Sequence, residues 1–165
     1  MTDTPQLLKL AAFDADDLAV VSASMQDAIV KTGEMTYLPG EKRFALVANR
    51  FAWEVNAERS KPPYERRRTG LQVTRALKAE LAGLDLRRPD DVLELLSISF
   101  EASEEPAGAV TLAFSGGATV RLHVECLELA MADLGGAWTT DALPKHPDAE
   151  HLDAEQPDDD ASANA

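Results

Sequence analysis

Three consecutive arginines, Arg66, Arg67 and Arg68, follow Tyr64 closely, with Arg50, Phe51 and Trp53 upstream and Arg75 downstream. Guanidinium groups interleaved with aromatic rings suit phosphate contact combined with base stacking, as on sheets that bind single-stranded nucleic acid. A plainer explanation is that the arginines guard a sheet edge against edge-to-edge pairing while Phe51 and Trp53 sit in the core. The sequence therefore nominates Arg50, Tyr64, Arg66, Arg67, Arg68 and Arg75 as a surface for an anionic partner, whether protein, nucleotide or RNA.

Charge sets a limit on that idea. The chain of 165 residues carries a net charge of -13, which repels phosphate and argues against a generic nucleic-acid binder. The charge is unevenly spread, however. Between Gly40 and Asp90, twelve basic residues face seven acids, leaving +5 in that window. The stretch from Ala137 to Ala165 holds eight acids and one lysine, Lys145. Such a segment cannot bury enough apolar surface to offset its ordering entropy, so residues 1–143 are expected as one globular domain and 144–165 as an acidic disordered tail. A polyanionic tail beside a basic band could compete with other anions for it, although solubilisation is the simpler role.

Other residues with chemical potential are few. Cys126 is the only cysteine, which excludes an internal disulfide and a cysteine zinc cage and suits a small buried hydrophobe. His123 and Glu125 share a strand face opposite to Val120, Leu122 and Val124, which makes a dyad with Cys126 unsuited to the geometry. Asp14, Asp16 and Asp17 lack the glycine and closing glutamate of a calcium loop and fit the first turn of a helix. His146 and His151 fall in the tail. Neither a phosphate-cradling nor a dinucleotide-binding glycine motif is present. No catalytic residue, metal ligand or cofactor is nominated.

The elements that must position these residues read mainly as strands. Val110, Leu112 and Phe114, then Val120, Leu122 and Val124, alternate on either side of Gly116-Gly117, predicting a β-hairpin. Leu96, Ile98 and Phe100 supply a preceding strand, completing an antiparallel meander. Leu127, Ala130, Met131 and Leu134 fall at helical spacing, and Gly135-Gly136 can close a helix, so a helix is predicted after the last strand. A second helix is predicted from Asp14 or Ala15 to about Met25. Strands are predicted near Leu7–Ala11, Ala28–Lys31, Met35–Leu38 and Arg43–Asn49, the last two joined by a type II turn at Pro39-Gly40. Val55 to Tyr64 reads as a mobile loop, Arg66 to Leu81 as a long strand, and Val92 to Leu96 as one helical turn.

Several strings carry a resemblance: Gln26-Asp27-Ala28-Ile29-Val30-Lys31, Tyr37-Leu38-Pro39, Lys42 to Val47, Asn49 to Glu54, the arginine triplet, and the stretch from Gly116 to Glu128. Over roughly Leu7 to Trp138 the chain resembles an alphaproteobacterial family catalogued as a domain of unknown function, number 2948. That resemblance implies a bacterial cytosolic origin and carries no activity, ligand or catalytic residue. Together these readings predict an α+β fold, mainly an antiparallel sheet or partly open barrel with an N-terminal helix and a helix after the last strand, pleckstrin-homology-like in outline. The expected function is a small non-catalytic binding or adaptor module, cytoplasmic and without membrane contact, acting on a protein partner. The alternatives are an RNA- or nucleotide-binding regulator using the arginine band and an enzyme with an unrecognised site.

Overall fold

The architecture is mainly antiparallel sheet with few helices. A computed structural model describes residues 7–57 and 63–140, and the backbone alone at 136–140. In chain order the elements are β1 (Lys9–Ala12), α1 (Ala15–Ser24), β2 (Ala28–Lys31), β3 (Met35–Leu38), β4 (Arg43–Phe51) and the single turn α2 (Trp53–Asn56). They continue with β5 (Tyr64–Thr74), β6 (Ala76–Ala82), β7 (Val92–Ala102), β8 (Gly108–Phe114), β9 (Thr119–Val124) and β10 (Leu129–Thr140). Neighbouring strands run in the order β1-β10-β5-β4-β2-β7-β8-β9-β6, with β3 flanking β4. The loop expected at Val55–Tyr64 lies partly, and the acidic tail wholly, outside the described residues.

Two features curl this sheet. Its last strand, β6, is the direct chain continuation of β5, reached through Arg75 in the left-handed region at φ 64°. Its two halves otherwise meet at β2 and β4, through a single paired position, Ile29 opposite Asn49. The inward faces therefore enclose one core. Phe44, Leu46, Leu71, Val73 and Met131 from one half pack with Val30, Leu95, Val110, Leu112 and Leu122 from the other. Among the described residues the ladder is open at β1 and β6.

Helix α1 begins where the acidic turn places it. The Asp14 side chain accepts a hydrogen bond from the Asp17 amide at 2.8 Å, and Asp16 and Asp17 lie in the first turn against the positive end of the dipole. Leu18 and Val21 enter the core. Ser22 on the same helix accepts from the Ile98 amide at 3.0 Å, just past a register shift in β7 between Leu95 and Ser97. The helix thereby satisfies an amide beyond the reach of the short strand β2.

The predicted helix after the last strand is instead β10. Leu127, Leu129, Met131 and Asp133 are all buried, so the operative period is two. The carboxylate at the fourth position broke the apolar alternation and let the helical spacing of Leu127, Ala130, Met131 and Leu134 stand out. Gly135, at φ 95°, sits in the register irregularity of β10 and not at a helix end. With that helix goes the pleckstrin-homology-like outline, which ends in one. Val92 to Leu96 is likewise the start of β7, paired with β2. The turn after β3 is a 3-10 turn whose left-handed residue is Lys42, at φ 52°, instead of Gly40. No described helix is long and apolar enough to cross a membrane.

Strand and helix registers make opposite demands on β10. Replacing buried Met131 by Ala is expected to cost about 2–5 kcal/mol. Replacing Leu134, which is 55% exposed, is expected to cost about 0.5 kcal/mol or less. Urea unfolding of both variants checks this, and equal losses would restore the helical register.

Candidate functional site

The inner face of the sheet turns ionic at one end. On β4 the apolar series Phe44, Leu46, Ala48 continues to Arg50, which is 0% exposed. Arg67 and Thr69 occupy the neighbouring positions of β5, and Asp133 those of β10, all buried. Arg50 donates through Nε to Asp133 Oδ1 at 2.8 Å and through Nη2 to Oδ2 at 2.9 Å. It also grips Glu54 of α2 with two bonds, Nη1 to Oε1 at 3.0 Å and Nη2 to Oε2 at 2.7 Å. Arg67 donates to Glu65 at 2.7 Å and to Asp133 Oδ2 at 3.3 Å. Thr69 Oγ1 and the Leu8 amide complete the shell of Asp133 at 2.7 and 2.8 Å.

Burial alone pushes the Asp133 carboxyl up, but hydrogen bonds from Arg50, the Leu8 amide and Thr69 outweigh it and hold the group down at about 2. Burial also disfavours the charged form of Arg50; hydrogen bonding to Asp133 and Glu54 more than offsets this and raises its affinity for the proton. Glu54 is penalised by burial as well, and Arg50 nevertheless keeps it below the ordinary carboxylate range. The charges are committed to one another. This is the arrangement of a structural ion network, whose donors are already matched.

The six nominated residues are therefore not gathered on one surface. Arg50, Tyr64 and Arg67 are buried, and Arg66 is 9% exposed. Tyr64 and Arg66 both lie against Phe51, with ring centroids 5.7 Å apart and the guanidinium carbon 5.6 Å from the ring centre. Arg66 also donates to the Asn49 carbonyl at 3.0 Å. The expectation that the triplet stands free at the surface is corrected here: only Arg68 and Arg75 are exposed. Arg68 pairs with Glu34 at 2.9 Å, and Arg75 lies 3.7 and 3.5 Å from Glu125 and Glu128. Roughly 23 Å of extended chain separates the two.

What sequence reasoning missed is a groove. Leu8 and Leu10 of the β1 segment, Ala19, Val20, Ala23 and Ser24 of α1, and Trp53 and Glu54 of α2 line an open concavity of about 600 Å³. Val20 is 54% exposed within it. The Trp53 indole nitrogen already donates to the Gln26 carbonyl at 3.1 Å, so what its ring offers the groove is apolar surface. The signal was an extra apolar residue on α1, Val20, lying off the face formed by Leu18 and Val21. Among the described residues no group of three or more His, Cys, Asp or Glu could hold a metal ion.

A family model described as "Protein of unknown function (DUF2948)" matches residues 8–146, which span every element of the sheet and all three groove walls. The chain belongs to that family. Comparison with curated proteins and with solved structures finds no match. Within this DUF2948 chain the matched region thus covers the ion network and the groove together.

Two outcomes test the network. Asp133→Ala, which strips Arg50 and Arg67 of a buried counter-charge, is expected to destabilise by about 3–5 kcal/mol. Arg68→Ala, at an exposed pair, should cost under about 1 kcal/mol in the same denaturant titration. The second outcome is a pH dependence. Because the folded value of Asp133 lies below its ordinary 3.8, the unfolded chain takes up the proton first as pH falls. Its stabilising contribution, roughly 2 kcal/mol, is whole above pH about 4 and is lost towards pH about 2. Asp133→Asn should lack that component of the acid transition in urea melts.

Proposed function

We propose that this protein is a non-catalytic binding module acting through protein–protein contacts at the groove between β1, α1 and α2. The observation that carries the reading is the exposed Val20 beside Trp53 in an almost wholly apolar concavity, with Glu54 as its one charged lining residue. Of the arginines nominated for anion binding, Arg50 and Arg67 are instead engaged in the network beneath. The alternative of an RNA- or nucleotide-binding regulator relied on six side chains acting together, and four of those support the core.

Quantitative pull-down with the full chain as bait separates the two. Val20→Glu is expected to reduce recovery of the bound protein about tenfold, while the Arg68→Ala/Arg75→Ala double variant retains it with a shallow salt dependence. Loss through the arginine variant, with a steep fall in affinity as salt rises, would favour the nucleic-acid reading instead.

A further inference from the structure

Strand β1 ends the sheet. It pairs with β10 on one side, and no strand among the described residues pairs with its other edge. The Leu8 carbonyl accepts from the Asp133 amide at 2.9 Å, so the backbone groups of Leu8, Leu10 and Ala12 face β10. By the alternation of an antiparallel ladder, those of Lys9 and Ala11 face outward. Meanwhile the side chains of Leu8 and Leu10 form one wall of the groove, and α1 forms another. An unpaired strand edge and an apolar groove thus lie side by side. Each meets a different need of an extended peptide: one takes its main chain, the other takes every second side chain.

We infer that the groove is filled by an extended segment of a partner protein, which adds to β1 as an extra antiparallel or parallel strand. This rests on the binding-module reading and specifies its ligand. Main-chain hydrogen bonds to Lys9 and Ala11 supply affinity, and alternate apolar side chains seated between Leu8, Leu10, Val20 and Trp53 supply selectivity. Charge defines the remaining positions. The only charged residues of α1 are Asp16 and Asp17, in its first turn, whereas Glu54 in the groove is already held by Arg50 and the exposed Lys9 belongs to β1 itself. Among the described residues the unpaired charge beside the groove is thus that of the α1 N-terminal turn. The segment therefore carries apolar residues at every second position and lysine or arginine between or beside them. An amphipathic helix of the same composition would fill the groove but leave the β1 edge unused.

The test is a displayed library of random linear peptides selected on the full chain. Enriched peptides are expected to show the alternating apolar and basic pattern. Both Val20→Glu, in the groove, and Ala11→Pro, which removes an outward amide without touching the ladder to β10, are expected to weaken them by about tenfold or more. Because proline could loosen β1, the same question is put from the other side. N-methylating the peptide amides that face Ala11 should weaken binding equally to the unaltered protein. If Val20→Glu weakens binding while Ala11→Pro and N-methylation do not, strand addition is overturned and the groove reading survives. If no peptide is enriched, or none responds to Val20→Glu, both fall. If sedimentation shows dimers that Ala11→Pro dissolves, the occupant is a second copy of this chain and the partner segment is ruled out.

Discussion

The bidentate pair between Arg50 and Asp133 ties β4 to β10, and through the other partners of these two residues it reaches β1, β5 and α2. Both side chains are shut away from water, and a buried charge that loses its counter-ion costs several kcal/mol. Side chains alternate along a strand, so a slip of one residue in β4 or β10 would send its charge to the opposite face and strand the other. Hydrophobic alternation alone tolerates more disorder in register, because one leucine substitutes readily for another. The ionic end of the core therefore specifies how β4, β5 and β10 align, with Arg67 and Thr69 on β5 locked into the same arrangement.

That constraint reaches the chain termini of the sheet. The second oxygen of Asp133 receives the Leu8 amide, so the residue that neutralises Arg50 also pins the start of β1. On its other side Arg50 holds Glu54, setting the single turn α2 and with it Trp53. Two walls of the groove, β1 and α2, are thus tied to one buried guanidinium. The third wall, α1, is anchored separately by Leu18, Val21 and the bond between Ser22 and the β7 bulge. A shallow apolar surface is held in shape from beneath by polar bonds, which leaves exposed Val20 free of structural duty.

The contrast between Arg50 and Arg68 shows how little residue type says about role. Both lie near one end of the β4 and β5 ladder, and both are paired to glutamate. Arg68 does so at 46% side-chain exposure, where screening leaves a weak interaction, and Arg50 does so in the interior, where position and partner are dictated. Membership of the DUF2948 family gives the boundaries of the matched region and leaves this distinction to the coordinates.

Much of the strand content was legible from period-two alternation: the β7-β8-β9 meander and the β3-β4 pair follow from local pattern. So does the start of α1, because a capping carboxylate and an acidic first turn act within a few residues. The single long strand expected over Arg66–Leu81, by contrast, is broken at Arg75, in the left-handed region, into β5 and β6 at separate places in the sheet. The last strand was not legible, since an aspartate in a core position looks like a solvent residue until its partner is known. The site failed for the same reason. Arg50 and Asp133 are 83 residues apart, and no local signal joins them. Sequence by itself determined where segments are extended or helical, and which faces of them are greasy. Tertiary structure alone decided which arginines are buried, because burial of a charge depends on a distant opposite charge. It also alone made the groove, whose walls come from three separate parts of the chain.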